Sequence, residues 1–419
     1  MVFVTLNFQV HQPFRISHFQ PNGYLKINDM FNAYFNNGLN KYIFDRVANK
    51  CYLPTNRILL EAIDALKHEK KKFKVSFSMS GTFLESAEMF NKDVLETFKQ
   101  LAQTKCVEIL GETYYHSLAS LYEAKSEFVE QVEAHSQAIK DYLGVQPKVF
   151  INTEMIYNNA IAKAVESLGF KGIFTEGSER ILGWRSPNYI YVRKYCFPDD
   201  PPPHRRIRVL LRNYRLSDDV AYRFSARDWD QWPLTADKYV AWLNATPGEV
   251  INLFMDYETF GEHQPAESGI FWFLKAFPHI AVRSGVEFIT PSEAVEICQP
   301  IGEIDVFEFS TLSWADMERD VSAWLGNKMQ QVIFNEIKNL ESMVKSIGHP
   351  EILRTWRLLQ QSDHCYYMCT KFWSDGDVHK YFSSFDRPED AFANMMGILS
   401  DFKMKVQMVR QGLLELPKF

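Results

Sequence analysis

Short apolar runs alternate along this chain with stretches whose apolar residues recur every three to four positions, and many of the runs end in charge. Residues 2–11 (VFVTLNFQVH) are β-branched and aromatic and read as a strand stopped by Pro13. Residues 14–55 lack a clean period and predict a long loop with a helix inside it. From Arg57 the apolar positions Ile58, Leu59, Ala62, Ile63 and Leu66 share one helical face, and the lysine-rich end that follows suits solvent. Residues 74–80 alternate as a strand, Gly81 turns the chain, and 87–102 are helical. Residues 106–115 predict a third strand ending in Glu112, with His116 just beyond, and 127–143 a helix closed by Gly144. Strand 148–155 ends in Glu154, helix 159–168 follows, and strand 171–175 runs into Glu176.

The rhythm loosens between residues 177 and 247, where 189–192 and 208–213 look like strands and Asp218 and Asp219 are candidate helix caps. It returns at residues 251–264, INLFMDYETFGEHQ, where a buried-strand pattern stops in Asp256, Glu258, Glu262 and His263. A helix at 271–281, a strand at 286–289 and a helix opened by Pro291 complete this part. Beyond residue 311 the strands cease, and 315–344, 351–367 and 388–414 read as long helices. Ser362-Asp363-His364 interrupts that apolar pattern, either to face a cleft or to cap a helix. Alternation of strand and helix predicts an α/β barrel or doubly wound sheet over residues 1–300, with a helical bundle over 301–419 packed against it. His11, Glu112, Glu154, Glu176 and Asp256 all stand at carboxyl ends of predicted strands, where parallel α/β folds gather their chemistry.

Composition narrows the function. The 419 residues carry 46 basic and 52 acidic side chains, a net charge of −6 that offers no general surface for phosphate, so nucleic acid is excluded as the expected partner. No stretch is apolar enough to span a membrane, and MVFVTLNFQVHQPF lacks the basic leader and apolar core of a secretory signal. The six cysteines (Cys51, Cys106, Cys196, Cys298, Cys365, Cys369) are dispersed apart from Cys365 and Cys369, which predicts reduced thiols and a cytoplasmic protein. Aromatics reach 15%, a surplus that suits a sugar cleft because flat rings stack on the apolar faces of pyranoses.

Carboxylates, histidines and aromatics at one rim, without a nucleophile elbow, phosphate loop or dinucleotide glycine motif, fit two-carboxylate glycoside cleavage. One carboxylate attacks the anomeric carbon while a second, kept protonated, donates to the leaving oxygen. Two rivals come from other classes. His11, His116 and His263 with nearby acids could hold a divalent ion for a metal-dependent hydrolase, although HxxxH and HExxH spacings are missing. A non-catalytic glucan-binding protein would keep the aromatics and need no pair of acids.

Five separated segments give the chain a family resemblance: HQP at 11–13, GETYYHSL at 111–118, INTEMIYNN at 151–159, MDYETFGEH at 255–263 and QSDHCYYM at 361–368. Together they resemble glycoside hydrolase family 57 over essentially the whole chain, and RLSDDVAYRFS at 215–225 looks like that family's α-amylase branch. The resemblance implies an incomplete seven-stranded (β/α) barrel with a helical domain, a retaining mechanism without cofactor or metal, and an α-glucan or maltooligosaccharide substrate. It implies Glu154 as nucleophile and Asp256 as general acid/base, with His11, Gln12, Glu112 and His263 as substrate contacts and Asp363 and His364 reaching the cleft from the bundle. Both catalytic positions hold acids. An α-amylase is the expected activity, with a 4-α-glucanotransferase as the alternative; oligomeric state is left open.

Overall fold

The computed structural model describes residues 2–20, 26–194, 197–371 and 383–414. Its centre is a ring of parallel strands: β1 (Phe3–Val10), β2 (Val75–Met79), β3 (Val107–Leu110), β4 (Val149–Phe150), β5 (Gly172–Glu176), β7 (Arg208–Arg212) and β8 (Val250–Asp256). β1 pairs with β2 on one side and with β8 on the other, and β2 continues to β3. A parallel bridge from Gly111 to Phe150 joins β3 to β4, and β4, β5 and β7 follow in order. β7 and β8 close the ring through the single register pair Arg212 and Asn252. β6 (Tyr191–Arg193) lies antiparallel on β7, β9 (Glu287–Phe288) pairs with β1, and β10 (Glu303–Ile304) pairs with β6. The incomplete seven-stranded barrel and the helical carboxyl-terminal region are therefore both present.

Alternation in β1 is used in an unusual sense. Val4, Leu6, Phe8 and Val10 enter the apolar core shared with the surrounding helices, so the polar partners Thr5, Asn7 and Gln9 occupy the opposite face. They are buried, and buried polar groups need partners. Thr5 donates to Asn252 Oδ1 at 2.8 Å, Asn7 Nδ2 to the Leu253 carbonyl at 2.8 Å, and Ser76 to Asn7 Oδ1 at 2.5 Å. This face leads upward through Gln9 to the strand ends. Gly111 explains how β3 and β4 approach each other: a Cβ there would lie 2.6 Å from the Phe170 ring.

Several predicted elements are subdivided. The stretch 14–55, read as a long loop with a helix inside it, holds helices Met30–Tyr34 and Asn37–Val47 and the π-helical turn Ala48–Tyr52, which runs into Leu53–Ala65. Gly81 begins a helix, Gly81–Phe90, rather than a turn, and Lys92–Gln103 follows it. The long helix expected at 315–344 is broken into Ser322–Leu325, Lys328–Asn339 and Glu341–Ile347, because Asn327 and Gln330 form a capping box that starts a new helix. Asp218 and Asp219 do not cap a helix: they lie within Tyr214–Ala221, whose cap is Asn213. Helices Pro350–Leu358, Ser362–Tyr366 and Pro388–Arg410 complete the described chain. Cys51, Cys106, Cys298 and Cys365 are buried free thiols, and Cys196 lies outside the described residues. No described helix is long and apolar enough to cross a membrane.

Candidate active site

Above the strand ends, the loops after β1, β4 and β8 meet residues 313–321 and helix Ser362–Tyr366 around a cleft of about 920 Å³. Glu154 and Asp256 both line it. Glu154 leaves β4 in the turn Thr153–Met155 at φ 55°, a left-handed backbone that a non-glycine residue keeps only when its surroundings hold it. Two neighbours do so. Oε1 lies 3.2 Å from His116 Nε2, and Oε2 accepts the Trp314 indole N–H at 2.7 Å. The Trp314 backbone N–H also donates to the Glu154 carbonyl at 3.2 Å.

His116, at φ 48°, joins this carboxylate to a second one, since its Nδ1 is 3.6 Å from Glu112 Oε2. Burial opposes charge on the ring, but hydrogen bonds and charge from Glu112 and Glu154 outweigh it and push the His116 pKa up to about 10. Glu112 is fully buried and accepts from Gln9 and Ser78, each at 2.9 Å. Burial works against its charge as well, yet the bonded, charged His116 holds its carboxyl below the usual range. His11 stacks on His116 with ring centroids 4.0 Å apart, and its nitrogens meet Ser80 Oγ at 2.7 Å and Asp363 Oδ2 at 3.0 Å. Burial and the adjacent His116 charge lower the His11 pKa, so the stacked pair carries one positive charge rather than two at neutral pH.

Asp256 ends β8 in register with Gln9. Two residues on, Glu258 accepts from Tyr52, which in turn accepts from Gln12 Nε2 at 3.0 Å. Burial and then the charge of Asp256 push the Glu258 pKa up to about 8. Glu258 thus keeps a proton at pH values where the unfolded chain has released it, so stability falls as pH rises from the ordinary carboxyl pKa to about 8. Glu258→Gln keeps the shape and has no proton to lose. Its Tm is expected to decline less than the parent's between about pH 5 and pH 8; curves that run parallel would remove Glu258 as the proton holder.

The cleft brings together His11, Gln12, Glu154, Asp256, His263 and Asp363. Two expected substrate contacts lie elsewhere. Glu112 stands behind His116 with no exposed surface, and His364 is buried against the Leu358 carbonyl and Gln361. Burial lowers the His364 pKa to about 4. Helix geometry accounts for this division, because adjacent residues point about 100° apart and Asp363 already takes the cleft side. Glu262 turns away to Arg46 at 2.9 Å, aided by Gly261, where any Cβ would strike the Lys50 carbonyl. Glu176 is also withdrawn, paired with Arg212 and Arg319.

Arg15, Tyr222, Trp314, Trp324 and Tyr366 line the cleft without having been singled out by strand-end logic. Tyr222 and Tyr366 fall within the quoted segments 215–225 and 361–368, the aromatic surplus is the only signal for Trp314 and Trp324, and Arg15 has none. Tyr52 is carried by a π-helical turn that no local pattern announces. Among the described residues no group of three or more His, Cys, Asp or Glu is arranged to hold a metal ion.

The family model described as Glycosyl hydrolase family 57 matches residues 5–306. A Methanocaldococcus jannaschii protein named "Putative alpha-amylase" is 50% identical over 416 residues, covering 97% of this chain and 85% of that one. Among solved structures, a GH57 branching enzyme from Thermococcus kodakaraensis aligns with a TM-score of 0.65 at 14% identity, over 99% of this chain and 92% of its own. A 4-α-glucanotransferase from Thermococcus litoralis aligns with a TM-score of 0.63 at 16% identity over 95% of this chain, which spans 59% of that enzyme's length. These two likenesses are of fold.

Proposed function

The chain belongs to glycosyl hydrolase family 57, and from that membership we propose that it is a retaining α-amylase acting on α-1,4-glucan in the cytoplasm. The observation that carries this reading is the pair Glu154 and Asp256 on one cleft, each delivered by a different strand. Two N–H donors, on His116 and Trp314, favour the charged form of Glu154 and orient its oxygens, as a nucleophile requires. Asp256 and Glu258 stand close enough for one charge to oppose the other, which favours retention of a proton on the pair.

In the first step Glu154 attacks the anomeric carbon, the bond from that carbon to the glycosidic oxygen breaks, and the leaving oxygen takes the proton of Asp256. Asp256, now a carboxylate, then takes a proton from water as the water oxygen displaces Glu154 and restores its free carboxylate. His11, Gln12, His263 and Asp363 contact the sugar. Residues 1–300 carry the two acids, while 301–419 cover the cleft with Trp314, Trp324, Asp363 and Tyr366.

Those same rings favour a second reading, 4-α-glucan transfer, because an aromatic wall can hold an acceptor sugar where water would enter. Product lengths from a single maltooligosaccharide decide between them. Shorter chains alone are expected of an amylase, longer and shorter chains together would establish transfer, and unchanged substrate would count against an α-1,4-glucan.

A further inference from the structure

Glu176, Arg212, Asp218 and Arg319 form a charge cluster just behind the cleft. Arg212 is buried and donates to Glu176 at 3.0 Å, to Asp218 at 2.5 Å and to the Phe254 carbonyl at 2.7 Å. Arg319, at φ 52°, donates to Glu176 and to the Trp314 carbonyl, at 2.7 and 2.8 Å, and lies 3.7 Å from Asp218. With two cations and two anions, the cluster satisfies its own charge in a place where an unpaired one would be costly. Its outward contacts converge on the reaction. The Arg212 guanidinium lies 5.6 Å from the centre of the Trp314 ring, and the Phe254 ring meets the same indole edge-on at 6.1 Å. Trp314 hydrogen-bonds Glu154, and Phe254 precedes Asp256 by two residues on β8. The backbone of Trp314 is held from below and its ring from one side.

We propose that this cluster is the positioning apparatus for both carboxylates: through Trp314 it aims Glu154, and through the Phe254 carbonyl it fixes the strand end that carries Asp256. The inference rests on the catalytic reading of those two acids. It assigns a role to Glu176, Arg212, Asp218 and Arg319 in setting the spacing across which a retaining mechanism works. A bond between β7 and β8 at this level also compensates for the sparse pairing of those strands, which share one register pair. Both arginines are needed, since one holds the ring and the other the backbone of the same residue.

Trp314→Phe tests the link, because it keeps an aromatic ring beside Arg212 and removes the indole N–H; the ring surface lost with it bears on sugar contact and so on KM, whereas the acid limb reads the N–H. Its kcat on a maltooligosaccharide is expected to fall about 10- to 100-fold, the size of one charge-assisted hydrogen bond, with KM within about twofold. The acid limb of kcat/KM is expected to move up by about one pH unit as Glu154 loses a donor to its ionised form. Asp218→Asn, outside the cleft, is expected to show the same signature more weakly. A Trp314→Phe enzyme with parental kcat and acid limb but a raised KM would make Trp314 a sugar platform and overturn the proposal. So would an Asp218→Asn enzyme that melts lower yet keeps the parental kcat and acid limb. Glu154→Gln separates the two levels: if it stays active, the catalytic reading falls, whereas an inactive Glu154→Gln beside a fully active Trp314→Phe removes the positioning role alone.

Discussion

Glu154→Ala is expected to lose about 10⁴-fold or more in kcat on an α-glucan, the scale on which a covalent nucleophile acts. Deletion of the side chain leaves space beside the anomeric carbon, flanked by the N–H groups of His116 and Trp314 that now lack their acceptor. A small anion such as azide fits that chemistry. Added azide is expected to restore turnover of an aryl α-maltoside with a good leaving group and to yield the β-glycosyl azide, because it attacks from the face that Glu154 occupied. Activity within tenfold of the parent, or an azide product of α configuration, would remove Glu154 as the nucleophile. Thermal melting of the variant guards against misfolding, since His116 loses one of its two anionic partners and the site is buried.

Asp256→Asn is expected to fail differently. General acid–base catalysis is worth about 10²- to 10⁴-fold, and that loss should appear in full on starch, whose leaving alkoxide needs a proton. An aryl α-maltoside with an acidic phenol leaves without help, so its first step should survive and produce a burst of phenol. The second step, which needs Asp256 as base toward water, should then stall with the glycosyl group on Glu154. Azide needs no base and is expected to release the stalled enzyme as the α-glycosyl azide. Equal losses on starch and on the activated substrate, with no burst, would assign the acid/base role elsewhere, and Glu258 would be the next residue to test because it holds a proton beside Asp256.

Read in order, the chain reveals most of the scaffold. Seven segments, from VFVTLNFQVH to INLFMD, carry their own periodicity and supply the ring strands, with the strand expected at 106–115 shortened to Val107–Leu110. The strand after residue 148 shrinks to Val149–Phe150 because Glu154 must turn inward at positive φ, a demand of the cleft rather than of the local pattern. The start of the helix expected from residue 315 dissolves for a related reason: residues 313–321 are held by Glu154, Arg180 and Glu176, which lie 130 or more positions away in sequence.

What the sequence determined by itself is the set of acids that end strands, because alternation and the point where apolar residues stop are local properties of a few consecutive side chains. By position at a strand end alone, Glu112, Glu154, Glu176, Asp256 and Glu258 belong to that set with equal claim, and only the family resemblance of the surrounding motifs sets Glu154 and Asp256 apart. Only the tertiary structure decided which of them face the cleft. His116 draws Glu112 behind the wall, Arg212 and Arg319 withdraw Glu176, Tyr52 takes up Glu258 at the wall, and Glu154 and Asp256 line the cleft beside it. Buried charge goes to the partner that can neutralise or hydrogen-bond it, and those partners become neighbours only when the ring closes.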